Sequence, residues 1–497
     1  MNILGIHSSY NALSHDPSAC LIIDGNVVAA IEEERLNRIK TSSTYFPQRA
    51  IKACLDIGGI NIKDIDVVAS DGISYPDLEM KVSRSLNHNF GHAPRVELVN
   101  HAYAHSAGAF CSSGFEESLV VSVDGVGDKL STLICIAKKT GSTVEFKELY
   151  RSERMQSLGN FYTAFTNYLG FRSIEGEYKV MGMAAYGTDK YDLSNILGFN
   201  PQTGAIENRG MEGLINVEKY TSIAEPFYNE DYIYNLTKVA LSVYSNGGFE
   251  QEHFDLSASV QAQFQRTYIG LIKYYLQKTN MKTLCLSGGC ALNCLANKDL
   301  LQENLDDIYI MPSASDRGLS MGAAMYAGTL AGEQIHPVRN MYLGTSFSSS
   351  KVKEALDICG IRYSEVGDVE SDCARSIAEG LVVGWFQGRA EFGPRALGHR
   401  SILANAKQDK MKDILNAKIK FRESFRPFAP AILESDFTDL YESKIRFPYM
   451  TFTVDVPQDL AIHIPEAVHL DGTARVQSVS PEDSSSFSGL LGQIKKE

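Results

Sequence analysis

The sequence predicts an α/β protein with more than one domain. Three observations carry this expectation. Apolar runs that read as strands alternate with amphipathic helical stretches. The order strand, turn and hairpin occurs twice, first from residue 2 and again from residue 118, as a repeat of organisation rather than of residue identity. The chain has 497 residues, too many for one ordinary hydrophobic core.

The first strand is "NILGIHSS". In "ACLIIDGNVVAAIEEER", Asp24-Gly25 separates two apolar runs, which is a hairpin signal. A helix follows Pro47 ("QRAIKACLDIGG") and ends at Gly58-Gly59, and "DIDVVAS" is a short strand. The order restarts with "SLVVSVDGVGD", a strand that ends in an Asp-Gly turn. "STLICIAKKTG" and "STVEFKELYR" read as two more strands. Helical patterns dominate residues 155–280. "KTLCLSGG" and "DDIYIM" are later strands, each followed by a Gly-containing turn and a helix. The short, Ser-rich "GTSFSSSK", 344–351, is the best linker candidate. The expected organisation is a first domain over 1–340, a linker over 341–351 and a second domain over 352–497.

Composition narrows the class. Hydrophobic residues make up 44% and charged residues 22%, a globular balance. The net charge of −13 argues against a broad basic footprint for nucleic acid. Nine cysteines, an odd number, argue against a disulfide framework and for a reducing compartment. "MNILGIHSSY" lacks the basic region and long apolar core of a signal peptide, and no run of about 18 apolar residues exists. A cytoplasmic protein outside the membrane is expected.

Chemistry concentrates in a few motifs. In "NHAYAHSAG", His101 and His105 are four apart and share a face if the segment is helical, so both could bind one metal. Ala102 stands where a zinc protease has its glutamate. On spacing alone, two satisfied polar histidines are the favoured reading. Asp124 ends the strand "LVVSVD", a common place for functional side chains, and Asp316 follows "DDIYIM" in "MPSASDRG". Alone, the first reads as a turn residue and the second as a helix cap. Together, two His and two Asp suit iron, manganese or zinc.

"CLSGGCALNCLANK" sets Gly288-Gly289 between a strand and a helix, where backbone N–H groups can approach a phosphate or a ribose. Cys285, Cys290 and Cys294 fit no zinc spacing and read as small hydrophobes. "GEYKVMGMAAYG", with Glu177 and Lys179, reads as a shaped loop before a helix or as a simple cap. "RAEFGPRALGHRS" and "KFRESFRPFAPAI" carry Arg389, Arg395, Arg400, Lys420, Arg422 and Arg426, and "HLDGTARVQSV" adds Arg475. Set among turn-fixing Pro and Gly, these cations imply a compact anionic ligand. "GLSMG", 318–322, matches the G-x-S-x-G string, but about seven loop residues separate the strand from Ser320, unlike a nucleophile elbow.

These motifs, joined by "HDPSA" (15–19) and "EEERLNRIK" (32–40), together resemble the O-carbamoyltransferases of the nodulation-protein and tobramycin type. The resemblance runs from residue 2 to about 480. It implies a duplicated actin/hexokinase-like first domain and a smaller YrdC-like second domain. In the second, carbamoyl phosphate and ATP become carbamoyladenylate. In the first, the carbamoyl group passes to an acceptor hydroxyl near a metal, usually Fe(II). The implied ligands are His101, His105, Asp124 and Asp316. Gly288, Gly289 and Asn293 fall at the nucleotide, and Arg395, Arg426 and Arg475 at the anion. Lys420 is a further contact, and His15 stands near the acceptor as a base. The acceptor is a sugar or a natural product, and a homodimer is the expected assembly.

The family continues beyond "GLLGQIKKE" with an apolar strand and an Asn-Thr-Ser-Phe-Asn loop, so the second domain is expected to be incomplete. That leaves two alternatives open: a non-catalytic paralogue that binds metal and nucleotide or works with a partner subunit, and a serine hydrolase acting through Ser320.

Overall fold

The computed structural model describes residues 1–10, 15–216, 228–241, 248–441 and 445–497. The chain divides into two units, Met1–Val338 and Arg339–Glu497.

The first unit opens with β1 (Asn2–His7), β2 (Ser18–Ile23) and β3 (Asn26–Glu32), an antiparallel meander. Asp24 and Gly25 both take positive φ (46° and 74°), as a tight turn between twisted strands requires. Helix α1 (Gln48–Gly58) leads to β4 (Val67–Asp71), parallel to β1. Helix α2 (Leu78–Phe90) leads to β5 (Val96–Val99), parallel to β4, and α3 (His101–Ser113) follows. The sheet order is β3-β2-β1-β4-β5. Ile51, Cys54 and Leu55 of α1 pack with Leu21, Ile31 and Val68 of the sheet.

The same plan then repeats. β6 (Glu117–Gly127), β7 (Leu130–Thr140) and β8 (Thr143–Glu153) form a second antiparallel meander. An insertion follows: α4 (Leu158–Tyr168), α5 (Glu177–Ala184), the small hairpin β9 (Leu197–Asn200) and β10 (Ala205–Asn208), and the long α6 (Gln251–Thr279). β11 (Thr283–Ser287) pairs parallel with β6, β12 (Asp307–Ile310) pairs parallel with β11, and α7 (Leu319–Leu330) closes the unit. The order is β12-β11-β6-β7-β8, the first sheet's order again. Three antiparallel strands, then two parallel ones reached through crossovers, appear twice. This is the duplicated actin/hexokinase-like architecture.

One expectation changes here. "GEYKVMGMAAYG" is not a loop before a helix, because residues Glu177–Ala184 are themselves helical and bury Val180 and Met183. The segment expected as a linker, 341–351, makes backbone hydrogen bonds within the second unit. Met341 is buried, its carbonyl accepts from Phe392 N (2.7 Å), and Gly344 N donates to Ala390 O (2.9 Å).

Helices α3 and α7 pack together at the centre of the first unit. A Cβ on Gly322 would fall 2.1 Å from the Ala104 carbonyl oxygen, so only glycine permits this approach.

The second unit holds α8 (Ser349–Ile358), α9 (Val369–Ala378), β13 (Val383–Phe386), β14 (Arg400–Leu403), β15 (Ala431–Leu433), β16 (Val454–Asp455), β17 (Thr473–Ala474), β18 (Gln477–Val479) and α10 (Ser485–Ile494). β13 pairs with β14, β15 with β18 and β16 with β17. Cys373, Ile377, Trp385, Val479, Phe487 and Leu490 form its core. Among the described residues, no helix is long and apolar enough to cross a membrane.

Candidate functional site

His101 and His105 lie one turn apart on α3, their rings edge-to-face at 4.8 Å. The helix starts there because Asn100 caps it, its Oδ1 accepting from Ala102 N at 3.0 Å. Asp128 fixes the same end, accepting from His101 N (2.8 Å) and from Ser74 N (2.9 Å). Asp124 sits in β6 where pairing with β7 breaks between Val123 and Gly127, a bulge that re-aims side chains. Gly289 N donates to Asp124 Oδ1 (2.8 Å), which leaves Oδ2 3.3 Å from His101 Nε2 and 3.9 Å from His105 Nε2. Asp316 Oδ1 is 3.7 Å from both Nε2 atoms. One ligand atom from each of the four residues lies within 4.8 Å of all the others. A Cβ on Gly127 would fall 2.2 Å from the His101 ring, so this glycine makes room for the imidazole.

The four residues fit a divalent cation. His105 Nε2 is buried with no hydrogen-bond partner, a cost that a bound metal would remove. Two imidazole nitrogens and two carboxylate oxygens suit iron, manganese or zinc. Burial and Asp316 push Asp124 upward, but His101 and His105 more than reverse this and its pKa is lowered. Burial likewise opposes the charge of Asp316, yet His15 and His101 hold it well below the usual carboxylate range.

His15 borders this cluster, with Nδ1 3.1 Å from Asp16 Oδ2 and Nε2 3.6 Å from Asp316 Oδ2. Burial disfavours its charge, but Asp316 and Asp16 raise its pKa to about 9. Asp16 is buried and pairs with Arg317 at 2.9 Å.

The other expected residues take varied places. The Gly288-Gly289 turn reaches Asp124, through Gly289 N. The Asn293 amide is engaged within the protein: it exchanges hydrogen bonds with Gln261 (2.9 and 3.0 Å) and caps Ala296 N. Ser320 is fully buried in the first turn of α7, and Ser18 Oγ donates to it at 2.8 Å. No elbow exposes it, which removes the hydrolase reading.

In the second unit three of the expected cations are held by neighbouring loops. Arg389 donates to the Gly344 and Leu343 carbonyls, and Arg400 to those of Gln387, Thr345 and Gly388. Arg422 donates to Asn416 Oδ1 (2.6 Å) and lies over Phe428. These three brace the loops. Glu391, which the sequence reading missed, is buried and accepts from Leu397, His399 and Arg400 N–H groups at 2.8–3.0 Å, shaping the loop that carries Arg395. Cations crowd here. Burial and then Arg426 lower Arg422 to about 10, and burial and then Arg422 lower Lys420. Burial lowers His469 to about 4, with Arg475 adding to the effect against Asp471.

Two further buried residues in the first unit escaped the sequence reading. Asp71 ends β4 and His7 ends β1, with Asp71 Oδ1 2.7 Å from His7 Nδ1. The signal was available, because both sit at strand ends as Asp124 does.

Comparison with known families settles the class. Residues 2–81 and 74–325 match the model described as "Carbamoyltransferase N-terminus", and 374–497 match "Carbamoyltransferase C-terminus". The chain belongs to the carbamoyltransferase family. This carbamoyltransferase is 34% identical to nodulation protein NolNO of Sinorhizobium fredii, over 98% of the chain and 73% of the relative. It is 34% identical to nodulation protein NolO of Bradyrhizobium diazoefficiens, over 80% and 70%. It is 27% identical to nodulation protein U of Sinorhizobium fredii, over 97% and 90%.

Proposed function

We propose that this carbamoyltransferase is an ATP-dependent O-carbamoyltransferase acting on a hydroxyl of a sugar or natural product. In a YrdC-like second unit, water would displace phosphate from carbamoyl phosphate, and the resulting carbamate oxygen would attack the α-phosphorus of ATP, giving carbamoyladenylate with pyrophosphate as the leaving group. The acceptor oxygen would then attack the carbamoyl carbon, with AMP as the leaving group. The observation that carries this reading is the convergence of His101, His105, Asp124 and Asp316 in a chain that matches both halves of the family.

Those four side chains would hold the metal, Fe(II) by the family's habit. A metal there would supply positive charge against the phosphate and carbonyl oxygens. His15, beside Asp316 at the edge of the cluster, would exchange a proton with the acceptor hydroxyl, as its base. Gly288 would let backbone approach the nucleotide, and Asn293 would act through Gln261. Arg395, Arg426, Arg475 and Lys420 would hold the anion, which relieves the crowding of positive charge in their loops.

The test is pyrophosphate release from ATP by residues 1–497 with Fe(II). Release that requires carbamoyl phosphate and is lost in Arg395→Ala is the expected result. No release from folded, metal-loaded protein would favour the non-catalytic alternative.

A further inference from the structure

Asp71 is buried at the end of β4, and its two oxygens face two different imidazoles. Oδ1 lies 2.7 Å from His7 Nδ1, and Oδ2 lies 3.1 Å from His101 Nδ1. His7 is buried at the end of β1, and its other nitrogen, Nε2, lies 2.9 Å from the backbone carbonyl oxygen of His15. A carbonyl and a carboxylate can only accept, so both nitrogens of His7 carry hydrogen. The same reasoning puts a hydrogen on His101 Nδ1. A neutral His101 then keeps its lone pair on Nε2, the atom 3.3 Å from Asp124 and 3.7 Å from Asp316.

We propose that Asp71 is a positioning residue for the cluster, one carboxylate that fixes the ring and tautomer of His101 and, through His7, anchors the backbone at His15. This rests on the reading of His101 as a metal ligand. The physical need is general: a ligating imidazole whose second nitrogen is held by a carboxylate presents the correct lone pair at a fixed angle, and loss of such a partner weakens metal binding by about 10- to 100-fold. No other carboxylate does this for His101 among the described residues, since Asp124 and Asp316 face its Nε2. The chain that runs from His15 through His7 and Asp71 to His101 also joins the side chain at the edge of the cluster to one of its ligands.

The test compares Asp71→Asn with His7→Gln on the full chain, using Co(II) alone as the probe. The Asn amide has one accepting oxygen and cannot serve both rings. The His7→Gln substitution removes the imidazole from Asp71 Oδ1 and leaves the Asp71–His101 bond in place. The expected result is Co(II) affinity about 10- to 100-fold weaker in Asp71→Asn, with an altered visible absorption spectrum, on protein shown to be folded by circular dichroism. His7→Gln should change the affinity less than about threefold. Wild-type affinity and spectrum in Asp71→Asn, or equal weakening in the two variants, overturns the proposal. Failure of the wild-type protein to bind Co(II) would instead strike the metal reading. Nitrogen-15 NMR of the metal-free wild-type protein decides the tautomer whether or not the variants fold. Hydrogen on His101 Nδ1 is expected, and a neutral ring protonated only at Nε2 contradicts the proposal.

Discussion

The two halves of the first unit share a strand order and differ in what stands at the strand ends. In the first half, β1 ends in His7, β4 ends in Asp71, and β5 leads directly into His101 and His105. In the second half, Asp124 lies near the end of β6, β11 runs into Gly288-Gly289, and the turn after β12 supplies Asp316. The first half thus contributes the two imidazoles and the carboxylate that faces one of them, Asp71 at His101. The second contributes the two acids and the N–H that orients one of them. Duplication provides two matching sets of strand ends, and divergence at a handful of positions turns them into one site. Neither half holds a complete donor set.

The strongest way to break this comparison is to remove a contribution from one half only. Asp316→Asn and Asp124→Asn should each weaken metal binding by more than about 100-fold, beyond the loss expected of an outer partner, and so should His101→Ala. Metal titration of each variant checks this. If the acids of the second half prove dispensable while the histidines do not, the site belongs to the first half alone.

Metal removal probes the pre-organisation of the halves. Asp128 and Asp71 hold His101, and Gly289 holds Asp124, by hydrogen bonds, so the chelated protein should stay folded. Its loss of stability should be the binding linkage alone, about 2.7 kcal/mol when free metal is 100 times its dissociation constant. Thermal unfolding with and without chelator measures this. Collapse of the fold on chelation would mean that the metal builds the site.

The seam between the halves comes next. Gly322→Ala drives a methyl group into the Ala104 carbonyl, and Gly127→Ala drives one into the His101 ring. Each should cost about 1–3 kcal/mol by overpacking. Gly127→Ala should also weaken metal binding, because it displaces a ligand. Denaturant melts paired with metal titration separate the two effects.

The smallest expected effect is at Ser320. Ser320→Ala removes one buried hydrogen bond, with Ser18, at a cost of about 1 kcal/mol. Pyrophosphate release and AMP release to an acceptor should both continue, as a melt paired with assays of the two products can show.

Much of this was legible in the sequence. The repeated strand, turn and hairpin order reported the duplication, because apolar runs and Asp-Gly turns are local signals. His101 and His105 were legible as a pair through helical spacing, and Asp124 and Asp316 as candidate partners after strands, but their convergence rested on family resemblance. Convergence over about 215 residues of chain has no local signature. Asp71 and His7 were missed for a related reason: each is a single polar residue at a strand end, and only the fold shows that they meet. In the second unit, motif reading treated seven cations alike. The fold shows Arg389, Arg400 and Arg422 bound to loop acceptors, which depends on the groups each guanidinium reaches in space and not on the motif.

The most direct test of the central claim is X-ray absorption on the full chain loaded with one equivalent of Fe(II). The account predicts a centre with two imidazole nitrogens and carboxylate oxygens, because His7 and His15 stand outside the donor set. A spectrum with three imidazoles, or one with none, would contradict the assignment of one site built jointly by the two halves.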